Sequence, residues 1–310
     1  MNATVHAQHK RNHYIGILLA TGAALGFSVK AIFVKLAYGY DVDALTMLMF
    51  RMMFALPFFM VFAWLEERKT HKRITRKQFV NITLLGLVGY YFSSLLDFMG
   101  LMYISAGLER LILFIFPTVV VIMSAIFFGN RIQKEAYIAL ALSYAGIVAA
   151  MVNDVQISGE HVLLGSVLIF IATITYSAFL VGSGEIIPQV GARRFASYAM
   201  IVSCLAVFIH FGISRDFTAF TQPMAVYGYG MAMAVFSTVL PSFMLAAAIH
   251  RIGASQTSIV GGLGPIATIG MAAVFLAEPL TLMQLLGAAL VIGGVFILGK
   301  AKNDDKKETK

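Results

Sequence analysis

Six ionisable residues stand inside or at the ends of apolar stretches in the first half of this chain. They are Lys30, Lys35, Arg51, Asp97, Glu109 and Arg110. A charge in such a stretch is costly, so each marks a functional position by default. Four cations and two anions together suit the pairing of a carboxylate-bearing or zwitterionic solute. Nothing points to bond-making chemistry: there is no nucleophile elbow and no phosphate loop. Gly261-Gly-Leu-Gly264 lies inside an apolar stretch and follows no strand, so it is no phosphate cradle. His13, His71, His161, His210 and His250 lie near predicted span ends and form no metal-ligand set. Cys204 is the only cysteine, which excludes an internal disulfide framework and a cysteine-built metal site. No catalytic residue, cofactor or metal is expected, and the lack of an ATP-binding motif argues against a primary pump.

The elements that hold these charges must be membrane helices. Of 310 residues, 59% are apolar and 12% charged, with mean hydropathy +0.84. A soluble domain runs nearer ~45–50% apolar and ~25% charged. In water this chain would expose apolar patches that soluble proteins do not tolerate. A soluble enzyme, a nucleic-acid-binding module and a disordered chain are thereby set aside. Apolar runs between charges and turn residues predict ten spans, at 14–37, 42–65, 79–104, 108–128, 135–152, 162–183, 194–213, 225–249, 253–277 and 281–299. Lys10 and Arg11 before the first run look like the start of a signal peptide. That run continues to about Ala37, longer than a typical signal core, and it reads as span one.

The net charge of +8 reports orientation, not an acidic partner. With a cytoplasmic N-terminus, most lysines and arginines fall on the cytoplasmic side. They comprise Lys10 and Arg11, the cluster from Arg68 to Lys77, Arg131 and Lys134, Arg193 and Arg194, Arg251, and the tail Lys300–Lys310. The other side holds Arg215 with Asp41, Asp43, Asp154, Glu160 and Asp216. This is the positive-inside pattern, with both termini cytoplasmic.

The two halves of the chain resemble each other. An offset of 148 takes Pro117 to Pro265, Gly146 to Gly294 and Ala106 to Ala254, and an offset of 149 takes Ala23–Ser28 to Ala172–Ser177. Five spans per half is odd, so the halves enter the membrane from opposite sides. Inverted-topology repeats are a signature of secondary transporters, which expose one site to each face in turn. The same offsets take Lys30 to Phe179, Arg51 to Ala199, Asp97 to Leu245, Glu109 to Thr257 and Arg110 to Ser258. The expected site therefore has a charged wall from the first half and an apolar, small-residue wall opposite.

The chain resembles the drug/metabolite transporter superfamily in its ten-helix EamA group. The resemblance covers about 14–299. It is carried by the two five-span halves, Arg51, the segment Ile104-Ser-Ala-Gly-Leu-Glu-Arg-Leu-Ile-Leu-Phe-Ile-Phe-Pro117, and Ala277-Glu-Pro-Leu280. The family commonly has an acidic residue at the equivalent end of span four, where this chain has Asn130. The resemblance implies an all-α membrane protein moving small organic solutes, often outward, from the bacterial inner membrane. It also divides the chain into a cytoplasmic start 1–13, a first repeat 14–152, an external linker 153–161, a second repeat 162–299 and a basic tail 300–310.

Each singled-out residue carries a second reading. Lys35 reads as a lysine reaching to the interface, and Glu109 and Arg110 as helix-end charges. Arg51 and Asp97 also read as partners in structural pairs, and Lys30 and Asp97 as the deepest binding groups. Glu109 and Asp97 are the groups that would carry protons if transport is proton-coupled; a facilitator needs none. Tyr90, Tyr91, Phe27, Tyr176 and Phe243 read as substrate-stacking rings or as core. Pro117, Pro241, Gly264 and Pro265 read as gating kinks or as packing kinks. Gly146, Gly293 and Gly294 in spans five and ten read as packing or homodimer surfaces. Expected partners are a small-molecule substrate and the lipid bilayer, with no nucleic acid. An integral-membrane lipid-modifying enzyme is the alternative class, and uptake the alternative direction.

Overall fold

A computed structural model describes residues 2–70, 73–129, 134–158, 160–261 and 263–308. Asn130, Gly262 and His71 lie outside the described residues. The described chain is all helical. It runs α1 (Asn2–Tyr38), α2 (Ala44–Lys69), α3 (Arg76–Gly86), a π-helical turn (Leu87–Phe92) and α4 (Ser93–Gly100). Next come α5 (Ala106–Leu113), α6 (Phe116–Phe128) and α7 (Lys134–Ser158). The second half holds α8 (Val162–Val190), α9 (Ala192–Ser214), α10 (Met224–Ala232), a second π-helical turn (Met233–Val239), α11 (Leu240–Gly261), α12 (Leu263–Phe275) and α13 (Leu282–Glu308).

By length and composition, seven helical stretches among the described residues can cross a membrane: Asn12–Tyr38, Ala44–Lys69, Arg76–Gly100, Ala106–Phe127, Val162–Val190, Ala192–Ser214 and Met224–Leu245. Shorter apolar stretches at Tyr137–Val152, Leu263–Phe275 and Leu282–Ile297 fall on the remaining predicted spans. Large apolar side chains such as Ile126, Phe127 and Ile213 point outward, as a lipid-facing surface requires. The protein is a multi-pass membrane protein.

Local chemistry explains several helix ends. Asp43 caps α2, accepting from the Leu45 and Thr46 amides at 3.0 and 3.2 Å. Thr75 and Gln78 form a reciprocal capping box at α3. Ser105 caps α5 through the Leu108 amide at 3.1 Å. Gly129 closes α6 with φ +68°, a conformation that favours glycine.

The predicted kink of span four is resolved differently from a bent helix. Span four is two segments, α5 and α6, broken at Phe114-Ile115, and Pro117 sits at the start of α6. There its missing N–H has no helical partner to lose. In span nine, helix is described over Leu240–Gly261 and again over Leu263–Phe275, and Pro265 lies in the second stretch. The π turns recur at matching places, one before α4 and one before α11. A π turn absorbs a residue that the regular ladder cannot place, and Pro241 lies two residues after the end of the second one.

The predicted loop at 250–252 is helical instead, because His250-Arg251-Ile252 contains no helix breaker and Arg251 bonds back to the Ala247 carbonyl at 3.0 Å. The chain still reverses direction. Pro241 packs at Gly26 and Ile252 at Gly16, whereas Ser28 bonds to the Gly264 carbonyl. The second half thus runs down α1 and returns along it.

Small residues set the close crossings. A Cβ on Gly146 would lie 2.5 Å from the Gly287 carbonyl oxygen, and one on Gly294 would lie 2.6 Å from that of Ala139. Gly146 and Gly294 therefore join α7 to α13 within one chain, which is the packing reading of these residues. Gly293 faces open space.

Candidate functional site

Lys30 in α1 lies between two carboxylates. Its Nζ is 2.5 Å from Asp97 Oδ2 in α4 and 2.9 Å from Glu109 Oε1 in α5. Asp97 and Glu109 are buried, at 4% and 0% exposure. One oxygen of each, Asp97 Oδ1 and Glu109 Oε2, is buried without a hydrogen-bond partner. Two guanidinium groups flank this triad. Arg51 lies over the Phe98 ring at 5.2 Å, donates to Ser94 Oγ at 3.3 Å, and leaves its Nε unpartnered. Arg110 is within electrostatic range of Glu109, Asp97 and Tyr176, and its Nε is also unpartnered. Two donors and two acceptors thus stand without protein partners around one lysine, where a buried unpaired polar group normally demands one.

The sequence-predicted residues Lys30, Arg51, Asp97, Glu109 and Arg110 therefore come together from four helices. Tyr90 and Tyr176 are within electrostatic range of Arg51 and Arg110 respectively, and both pack on Phe179, with ring centroids 4.7 and 5.8 Å away. Gly264 belongs to the same cluster. A Cβ there would lie 2.6 Å from Arg110 Nη2, so only glycine leaves the guanidinium its place. Ser28 ties the Gly264 carbonyl to α1 at 3.0 Å. Sequence reasoning did not single out Ser28 for this role, although it lies in the repeated segment Ala23–Ser28.

Other expectations are redirected. Lys35 is within electrostatic range of two carboxylates, Glu278 and Asp154. Tyr91 bonds His210 at 2.9 Å, and Phe243 packs on Phe62 at 4.1 Å between centroids. Two of the apolar counterparts are not a free wall: Phe179 and Ala199 are buried against Gly89 and Gly86 of the third span. Close backbone approach there leaves no gap to line. Thr257 and Ser258, the counterparts of Glu109 and Arg110, have side chains outside the described residues. Arg194, read as a loop charge, is buried in α9, with both Nε and Nη2 on Glu67 at 2.5 and 2.7 Å.

Comparison with known proteins places this geometry. The model of the EamA-like transporter family matches residues 14–152 and again 163–300. The chain belongs to the EamA-like transporter family. It is 28% identical over 283 residues to the uncharacterized transporter YcbK of Bacillus subtilis (strain 168), covering 88% of this chain and 87% of that protein. It is 24% identical over 205 residues to a probable amino-acid metabolite efflux pump of Salmonella typhimurium, covering 62% of this chain and 67% of that one. A solved crystal structure matches with a TM-score of 0.62 at 14% identity, over 91% of this chain and 95% of the other. That likeness shows a shared fold. This EamA protein is a membrane transporter, and its named relatives are transporters, not enzymes.

Proposed function

We propose that this protein is a secondary transporter moving small organic metabolites by alternating access, with amino-acid-like or carboxylate-bearing solutes favoured and export the working direction. Its ten spans form two inverted five-span repeats, 14–152 and 162–299. The linker 153–161 is external, and the ends 1–13 and 300–310 are cytoplasmic at a bacterial inner membrane.

One observation carries the reading: Lys30 holds two buried carboxylates while Arg51 and Arg110 each keep an unpartnered Nε beside them. A solute carboxylate fits the free guanidinium donors. A solute ammonium fits the free oxygens of Asp97 and Glu109. Tyr90 and Tyr176 supply ring faces next to the charges. The same carboxylates would carry a coupling proton. Pro117 sits beside the break at Phe114-Ile115 and Pro241 beside a π turn, where backbone can rearrange at least cost; Gly264 and Pro265 are read as the matching kink of span nine. A carrier of this kind runs in whichever direction the gradients set, so uptake is the alternative direction; the probable efflux pump among its relatives supports export.

The test is transport by purified protein in liposomes against a metabolite panel, with and without a pH gradient. Carboxylate-bearing solutes are expected to move. Lys30→Ala and Asp97→Ala are expected to lose most flux at near-normal membrane abundance. If both variants transport like the parent, the charged cluster is not the solute site. A parent that moves nothing on the panel counts against the function itself.

A further inference from the structure

Away from the solute cluster, the start of α5 is held by carboxylates that come from distant parts of the chain. Asp154, near the end of α7, accepts from the Ser105 amide at 2.8 Å. Glu278, in the link between α12 and α13, accepts from the Ala106 amide at 3.0 Å. Gln284, at the start of α13, lies against Gly107. Lys35 of α1 is within electrostatic range of both Glu278 and Asp154. The first amides of a helix lack internal partners and carry its positive dipole end, so carboxylates bind there favourably.

Two details make Glu278 more than an incidental cap. Ala277 just before it has φ +53°, a left-handed conformation that an alanine rarely adopts. This turn directs Glu278 back over α5 instead of letting α12 continue. And α5 is the eight-residue segment that carries Glu109 and Arg110, with the break at Phe114-Ile115 behind it. A segment held at its first turn and broken at its last can move as a unit when the hold is released.

We propose that Glu278 is the positioning residue for α5. Its carboxylate, supplied by the second half of the chain, locks the first turn of the segment bearing Glu109 and Arg110 and closes the outer end of the path. The inference rests on the orientation and alternating access proposed above. In the closed arrangement Ala106 is fully buried. In the released arrangement its side chain meets water from outside.

The experiment places a reporter cysteine at Ala106 (Ala106→Cys) in the full-length protein in intact cells. Cys204 stays in place as the buried, unreactive background. A membrane-impermeant maleimide is added outside, and a permeant one is used in a parallel arm. The parent reporter is expected to resist the impermeant reagent. Glu278→Ala removes the acceptor and is expected to speed labelling about five- to tenfold, the range of a lost helix cap. Glu278→Gln keeps an acceptor oxygen and is expected to give clearly less acceleration. Should Glu278→Ala fail to reach the membrane, Glu278→Asp, one methylene short of the amide, must show the acceleration instead. Unchanged labelling in these variants overturns the lock. So does acceleration seen only with the permeant reagent. Labelling needs no transported solute, so the lock and the transport function stand or fall separately.

Discussion

At Lys30 a single ammonium neutralises two buried carboxylates, and the neighbouring arginines bring the local charge to a net positive value. Lys30→Ala and Asp97→Ala each change the charge the cluster presents to a solute, which is why these variants should lose flux first. Gly264 acts at the same scale. Gly264→Ala puts a methyl 2.6 Å from Arg110 Nη2. The guanidinium tip can move, so the fold should survive while the site shifts. We expect near-parental melting temperature and flux reduced about fivefold, equivalent to ~1 kcal/mol. Arg110→Lys in that background should regain part of the flux in the liposome assay. Asp43 gives a pH prediction. Burial alone would raise its carboxyl, but the hydrogen bonds from Arg215 and Thr46 outweigh burial and hold it below the usual carboxylate range. A value lowered by folding adds stability that is present in full above the ordinary value, near pH ~4. It is lost as pH falls through the lowered one. The melting temperature in detergent should therefore drop on acidification below that point, and Asp43→Asn should flatten that part of the curve.

At the scale of the element, α7 and α13 touch backbone to backbone at Gly146 and Gly294. Gly146→Leu must force these helices apart, an overpacking cost of ~1–3 kcal/mol. Its folded yield and melting temperature, read by fluorescence-detected gel filtration, should fall below the parent. Gly293→Leu, on a face with nothing within reach, should leave both unchanged. A change of oligomer size in Gly293→Leu alone would assign that face to a second copy. The helical segments themselves were largely legible in the chain. Apolar runs between charges located them, because a bilayer demands long apolar helices with satisfied backbones. The breaks were less so. Pro117 announces an interruption, but its place at the start of a segment depends on where the preceding helix loses its partners. The π turns have no composition signal and emerge only from packing.

Across the whole molecule, α2 and α9 run antiparallel and are pinned at both ends. Arg215 meets Asp43 at 3.0 Å at one end, and Arg194 meets Glu67 at 2.5 Å at the other. The two pairs bracket the apolar length of α2. Asp43 and Arg215 fall on the face expected to be external, and Glu67 and Arg194 on the cytoplasmic one. A fluorescent protein fused after Lys310 should therefore fluoresce in cells, as it does when held in the cytoplasm, while a fusion in the linker near Glu160 should stay dark. Bright linker fusions would invert the orientation.

The chain by itself determined that this is a helical membrane protein of two related halves and that its costly charges gather in the first. Hydropathy, charge bias and a constant repeat offset are local or additive properties, and they survive without knowledge of contacts. Only the tertiary structure decided which charges meet. It joined Lys30 to Asp97 and Glu109 across 67 and 79 residues. It set Gly264 beneath Arg110 and turned Glu278 from a motif residue into the cap of a helix in the other half. Such pairings follow from how helices cross, and crossing is fixed by close backbone approach at small residues that are common throughout the chain. No spacing along the sequence encodes it.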